Sequence, residues 1–188
     1  MHEIIWHGRG GQGVVVAAQI LAEAAYLQGY KGVTSAPTFG PERRGAPLTA
    51  STRISDEPLR TFSQIELADI VVVLDPSLLK IVDIQGSVKN TGLIIINTDL
   101  QADDFQLRSG LTVAVVDAVK VALKYHLLKE GAPIVNTPLL GALARATDLV
   151  SLEYIEKGLK KKLPGKVVAT NTVALKTAYD ETKIKKVG

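Results

Sequence analysis

Two short stretches of this chain gather residue types that can hold an anion. Gly8-Arg9-Gly10-Gly11-Gln12-Gly13 fits the G-x-G-x-x-G pattern between a strand and a helix. Glycines permit a tight turn, and their missing side chains let backbone N–H groups approach a phosphate or carboxylate. The helix that opens next adds the positive end of its dipole. The second stretch, Phe39-Gly40-Pro41-Glu42-Arg43-Arg44-Gly45-Ala46-Pro47, sets adjacent arginines in a loop rich in glycine and proline. Guanidinium groups are forks of donors matched to carboxylate and phosphate oxygens. In an open α/β sheet, loops at the carboxyl ends of neighbouring strands converge on one crevice, so Arg9, Arg43 and Arg44 can share a site. Arg43 and Arg44 can equally pair with Glu42 or with acidic residues of a partner chain. Asn136 and Thr137 precede an apolar helical run and offer either hydrogen bonds to a ligand or plain helix caps, the latter favoured.

Other chemistry finds little support. A dinucleotide fold wants an acid about 20 residues beyond the glycines to hold the ribose hydroxyls. No Asp or Glu occurs between Ala24 and Gly40, and no arginine stands there to take a 2′-phosphate. The glycines are also explained if they serve only close helix–strand packing. Cysteine is absent, which removes disulfides, thiolate metal sites, iron–sulfur ligation and cysteine nucleophiles from this chain. The histidines are His2, His7 and His126, without metal-ligand spacing; His7 adjoins the glycine loop but suits a core or interface position. No catalytic residue and no metal site is assigned.

These residues need a scaffold, and 188 residues with 46% apolar and 22% charged content suffice for one domain spanning 1–188. The net charge of +3 is mild, and its late lysines (Lys157, Lys160 to Lys162, Lys183, Lys185, Lys186) read as solvated faces, not a nucleic-acid surface. No run reaches membrane-span length and no leader precedes the first strand, so a cytoplasmic protein is expected.

Glu3 to Trp6 reads as a first strand, followed by a helix from Gln12 to Gln28 stopped by Gly29, and a second strand near Gly32 to Ser35. Leu48 to Ile54 alternates, with Leu48, Ala50, Thr52 and Ile54 on one face and Thr49, Ser51 and Arg53 on the other. That pattern predicts a half-exposed, antiparallel strand. Solid runs at Ile70–Leu74, Leu93–Ile96 and Thr112–Val116 predict buried parallel strands. Asp75-Pro76 starts a helix. Asp117 caps another that reaches Glu130 and ends at Gly131. Further helices begin at Thr137-Pro138 and at Ser151, which stops at Pro164-Gly165, and a last one spans about Asn171 to Lys183. The fold class is α/β: a single-domain three-layer α/β/α sandwich with a mixed, mostly parallel sheet.

His7-Gly-Arg-Gly-Gly-Gln-Gly13 and Phe39-Gly-Pro-Glu-Arg-Arg-Gly-Ala-Pro47 together resemble the two motifs of the gamma family of 2-oxoacid:ferredoxin oxidoreductases. Thr52-Arg-Ile54, Asp75-Pro76 with Leu78-Leu79, Asn97-Thr98 and Asn136-Thr-Pro-Leu-Leu-Gly141 extend the resemblance in order, from about Glu3 to Tyr179. The Arg-Arg-Gly-Ala-Pro form is closer to pyruvate and branched-chain oxoacid members than to 2-oxoglutarate enzymes. The resemblance implies a complex that decarboxylates a 2-oxoacid on thiamine diphosphate with Mg, passes electrons through iron–sulfur clusters to ferredoxin and delivers the acyl group to coenzyme A. Alpha, beta and delta subunits would carry those groups, and this chain would bind none of them alone. It would help enclose the shared site through Gly8, Arg9, Gly10, Gly11, Gln12, Gly13, Arg43, Arg44, Asn136 and Thr137. The alternatives are a stand-alone Rossmann-like dinucleotide-binding protein and a purely architectural subunit.

Overall fold

The structure, a computed structural model, describes residues 1–37, 45–61 and 63–188; Arg43, Arg44 and the rest of 38–44 lie outside them. Strand β1 (His2–Arg9) is buried from Ile4 to Gly8. Helix α1 (Val14–Gln28) follows and stops at Gly29, whose φ of 112° lets its N–H reach the carbonyls of Ala25 and Tyr26. Strands β2 (Gly32–Pro37) and β3 (Pro47–Ser55) come next, and β3 runs antiparallel to both β2 and β1.

The alternation in β3 places Ala50 and Ile54 in the core beneath α1. Thr52 joins three elements there: its Oγ1 accepts from Trp6 Nε1 at 3.1 Å and donates to the Ala18 carbonyl at 3.3 Å. The opposite face of β3 is less exposed than the alternation predicts. Arg53 is buried, because its Nε donates to Glu3 Oε1 at 3.0 Å on β1 and the pair shields itself.

Strands β4 (Ala68–Val73), β5 (Val88–Asn97) and β6 (Thr112–Val116) continue the sheet parallel to β1, as their apolar runs require. Their crossovers contain only 3-10 turns, at Pro76–Lys80, Gln85–Ser87 and Ala102–Asp104. After β6 come α2 (Ala118–Lys124), a hairpin of β7 (Leu128–Lys129) and β8 (Ala132–Pro133), α3 (Asn136–Ala146), α4 (Leu152–Lys162), α5 (Gly165–Glu181) and β9 (Lys183–Lys186). Among the described residues the main sheet has seven strands, ordered β2-β3-β1-β4-β5-β6-β9, with β9 antiparallel to β6.

Three expected boundaries are corrected. The helix capped by Asp117 ends at Lys124, not Glu130. His126 turns to φ 53°, and Glu130 (φ 51°) with Gly131 (φ 82°) makes the two-residue turn of the β7–β8 hairpin. The last helix starts at Gly165, where the chain turns after Pro164, and ends at Glu181. Lys183 to Lys186 then leave it as β9 and pair with β6.

The two faces of the sheet are covered differently. Ile4, Trp6, Ile70, Val72, Ile95 and Ala114 face a layer into which all five α-helices pack. Ile5, Val71, Val73, Ile94, Ile96 and Val113 face the other way, against Leu79, Val82, Ile84, Phe105 and Leu107 of the 3-10 crossovers. The third layer of the sandwich is therefore built of short turns and loops.

Candidate functional site

From β1 the chain crosses through α1 to β2 on one side; from β4 it steps to β5 and β6 on the other. The winding reverses between β1 and β4. Ligands of open α/β sheets sit outside the strand carboxyl ends at such a reversal. The glycine loop leaves β1 at this point, and Asp75 follows β4 directly beside it.

Each glycine has a separate cause. A Cβ on Gly8 would stand 2.5 Å from Val14 Cγ2 and 3.2 Å from Leu74 Cβ, so helix, strand and the β4 exit close on bare backbone. Gly11 and Gly13 have φ of 97° and 79°, the left-handed region that side chains resist. Gly10 hydrogen-bonds with the far end of the arginine loop: its N–H donates to the Ala46 carbonyl at 2.9 Å, and its carbonyl accepts from Gly45 N–H at 3.2 Å. The two loops thus share a root.

Arg9 lies across the switch point. Its Nε donates to Asp75 Oδ2 (3.1 Å), one terminal nitrogen to the Gly45 carbonyl (3.0 Å) and the other to Ser77 Oγ (2.7 Å). Gln12 closes a ring: its Oε1 accepts from Arg9 N–H at 2.7 Å and its Nε2 donates to Asp75 Oδ2 at 3.2 Å. Asp75 Oδ1 accepts from the Ser77 N–H and hydroxyl at 3.0 and 2.6 Å. Partial burial pushes the Asp75 carboxyl up, but the Ser77 bonds, the Arg9 charge and the Gln12 amide together hold it below its ordinary value. The network is therefore ionised at neutral pH.

The loop's remaining donors are uncommitted. Among the described residues the N–H groups of Gly11 and Gly13 have no acceptor, and the first turn of α1 has none within its own helix. Asn136 fixes the loop from below, its Nδ2 donating to the Gly13 carbonyl at 3.3 Å. It does not cap α3. Val135 holds the N-cap position, while Asn136 Oδ1 accepts from the N–H of Thr137 at 2.8 Å inside the first turn, where Thr137 is also buried. The expected caps at Asn136 and Thr137 are thus replaced by a clip between α3 and the start of α1.

Gly8 to Gly13 and Asn136 are brought together, Thr137 lies one residue away, and Gly45 brings the end of the arginine loop to them. Arg43 and Arg44 lie outside the described residues. His7 is buried on the face opposite α1, between its strand neighbours Thr49 and Val73, with Nε2 unpaired among the described residues. Burial lowers its pKa to about 4, so the ring is neutral at physiological pH. His2 is exposed, and His126 sits in the turn after α2.

Sequence reasoning missed Asp75 and Ser77, reading the aspartate only as a cap, although its position at the end of a buried strand was a signal. It also missed Asn97, which clips two strand ends by donating to the Leu74 carbonyl at 2.8 Å and accepting from Ala118 N–H at 3.0 Å. The dinucleotide alternative fits poorly. β3 separates β1 from β2, β2 ends without an acid, and Arg9, Gln12 and Asp75 bond to one another at the crevice.

Fold and site define an α/β domain whose paired loops at a switch point suit an anion or a partner surface. Comparison with known proteins narrows this. Residues 3–181 match the family described as pyruvate ferredoxin/flavodoxin oxidoreductase. The pyruvate/ketoisovalerate oxidoreductases common subunit gamma of Pyrococcus furiosus is 46% identical over 187 residues, 98% of each chain. Pyruvate synthase subunit PorC of Methanothermobacter thermautotrophicus is 45% identical over 181 residues, 96% of each. The crystal structure of pyruvate oxidoreductase subunit PORC from Thermotoga maritima aligns with a TM-score of 0.82 at 38% identity, over 98% of both chains. That of the keto/oxoacid ferredoxin oxidoreductase gamma subunit from Geobacter sulfurreducens aligns at 0.76 and 26%, over 96% of this chain and 98% of the other. The chain belongs to the pyruvate ferredoxin/flavodoxin oxidoreductase family, and its relatives place it among the gamma-type subunits of these multi-subunit oxidoreductases. Among the described residues no helix is long and apolar enough to cross a membrane, and no cluster of His, Asp and Glu could hold a metal ion.

Proposed function

We propose that this chain closes one side of the shared active site of a 2-oxoacid:ferredoxin oxidoreductase that acts on pyruvate or a closely related 2-oxoacid. Alpha, beta and delta subunits complete the enzyme, and ferredoxin takes the electrons. With no cysteine anywhere in the chain, the iron–sulfur clusters must be ligated elsewhere. Thiamine diphosphate, which supplies the electron sink for decarboxylation, and its Mg would be held by those partner subunits. What this chain can offer is positioning. The N–H groups of Gly11 and Gly13, the start of α1 and the charges of Arg43 and Arg44 would orient an anionic group of the oxoacid or of coenzyme A and exclude water from it. No covalent or proton-transfer step is assigned to this chain.

The observation that carries this reading is the shared root: Gly10 bonded to both Gly45 and Ala46 at the point where the sheet reverses its winding. The architectural reading has one observation in its favour, since Arg9 spends its side-chain donors on Asp75, Ser77 and Gly45 of its own chain. Single Arg43→Ala and Arg44→Ala substitutions in the assembled complex separate the two. Ligand contact predicts at least one KM, for oxoacid or coenzyme A, raised about tenfold, close to the loss of one charge-assisted hydrogen bond. Unchanged kinetics in an intact complex would leave an architectural subunit.

A further inference from the structure

We propose that Asp75 is a positioning residue for the reaction, holding Arg9 and Gln12 so that the glycine loop presents its free amides at the switch point. The inference rests on the function proposed above and names a residue that function does not require.

A cap for the five-residue 3-10 turn at Pro76–Lys80 needs one carboxylate oxygen, and Oδ1 serves it through the Ser77 N–H. Oδ2 is spare for that purpose, yet it accepts from both Arg9 Nε and Gln12 Nε2. The carboxylate thereby ties the exit of β4 to the exit of β1, neighbouring strands that no single crossover connects. Arg9 then carries the constraint onward to the Gly45 carbonyl, at the end of the second loop. The Asp75 side chain is 18% exposed and that of Arg9 29%, so water competes only partly for these bonds.

Freed from Asp75, Arg9 and Gln12 lose their common acceptor, and the Gly10–Gly13 turn loses the side chain that fixes its entry. The amides would remain but be misaimed by ångström-scale motion, which weakens binding of an anion without touching the reacting atoms. Asparagine cannot substitute: with its oxygen kept on Ser77, its amide nitrogen faces two donors.

The test uses the assembled complex carrying Asp75→Ala, Asp75→Asn or Arg9→Ala, or both alanines, with Ser77→Ala as a gentler variant should assembly suffer. KM and kcat are measured for the oxoacid and for coenzyme A, alongside Tm. The expected result is a five- to tenfold rise in KM for one reactant in Asp75→Ala and Asp75→Asn, with kcat within about twofold. The double variant should be no worse than Arg9→Ala, since both act through one network. A lowered Tm with unchanged KM would make Asp75 purely structural and overturn the proposal, as would additive effects. If the Asp75 variants are silent while Arg43→Ala or Arg44→Ala raises KM, only this inference falls. Silence of all these variants removes the proposed function as well.

Discussion

Gly13 shows how one residue can be fixed twice. Its φ of 79° costs a residue with a side chain about 1–2 kcal/mol. A Cβ there would also stand 2.5 Å from Asn136 Nδ2, the atom that bonds the Gly13 carbonyl. Gly13→Ala should therefore destabilise the chain by more than Gly11→Ala, whose Cβ would meet nothing within 4 Å. Denaturant midpoints of the two variants check the ranking, and equal losses would mean that the Asn136 contact yields freely. His7 gives a pH signature. Its pKa of about 4 against an ordinary 6.5 means the unfolded chain binds the proton first, so stability rises with pH between those values. Acidification from pH 6.5 to 4 should cost on the order of 3 kcal/mol through this ring. His7→Gln should flatten that part of the stability–pH curve, and an unchanged curve would show that the buried imidazole does not control it. The glycines were legible in the sequence because a left-handed turn and a close approach each leave one residue type. Asp75 was legible only as half of itself: a cap is a local pattern, whereas Oδ2 finds Arg9 and Gln12 some sixty residues away through the sheet.

At the scale of elements, two glycines set how closely the helices lie. A Cβ on Gly141 of α3 would stand 2.1 Å from the Leu175 carbonyl oxygen of α5, and one on Gly158 of α4 would stand 2.8 Å from the Ile20 carbonyl oxygen of α1. Gly141→Ala should cost about 1–3 kcal/mol by overpacking, despite alanine's better helix propensity. On a chain of this size that is a Tm lower by several degrees in a thermal melt. A stabilised variant would contradict the packing. Solid apolar runs revealed β4, β5 and β6 because both faces of those strands are covered, by α-helices on one side and 3-10 crossovers on the other. β9 escaped notice for the opposite reason. Lys183-Ile184-Lys185-Lys186 is an exposed edge strand, polar and short, and only its pairing with β6 makes it a strand. The β7–β8 hairpin hid inside an apparent helix, since Val119 to Leu128 is apolar enough for either, and the turn at Glu130-Gly131 decides it.

For the whole molecule, the carboxyl end of the sheet is a surface organised by its own side chains: Asp75 with Arg9 and Gln12, Asn97 between β4 and α2, Asn136 beneath Gly13. Such clips resist distortion, which suits a face that in the proposed function meets other subunits around a reaction centre. Family membership followed from motifs spread along the chain, whereas what the loops touch depends on chains that contribute the rest of the cavity. Hydrogen exchange compares the two states directly, with this chain alone and in the assembled oxidoreductase. If the two loops close over a shared centre, exchange slows on assembly in peptides covering 8–16 and 45–50, and slows further with oxoacid or coenzyme A. Protection confined to the helical layer, with the glycine loop exchanging as fast in the complex as in isolation, would contradict that closure.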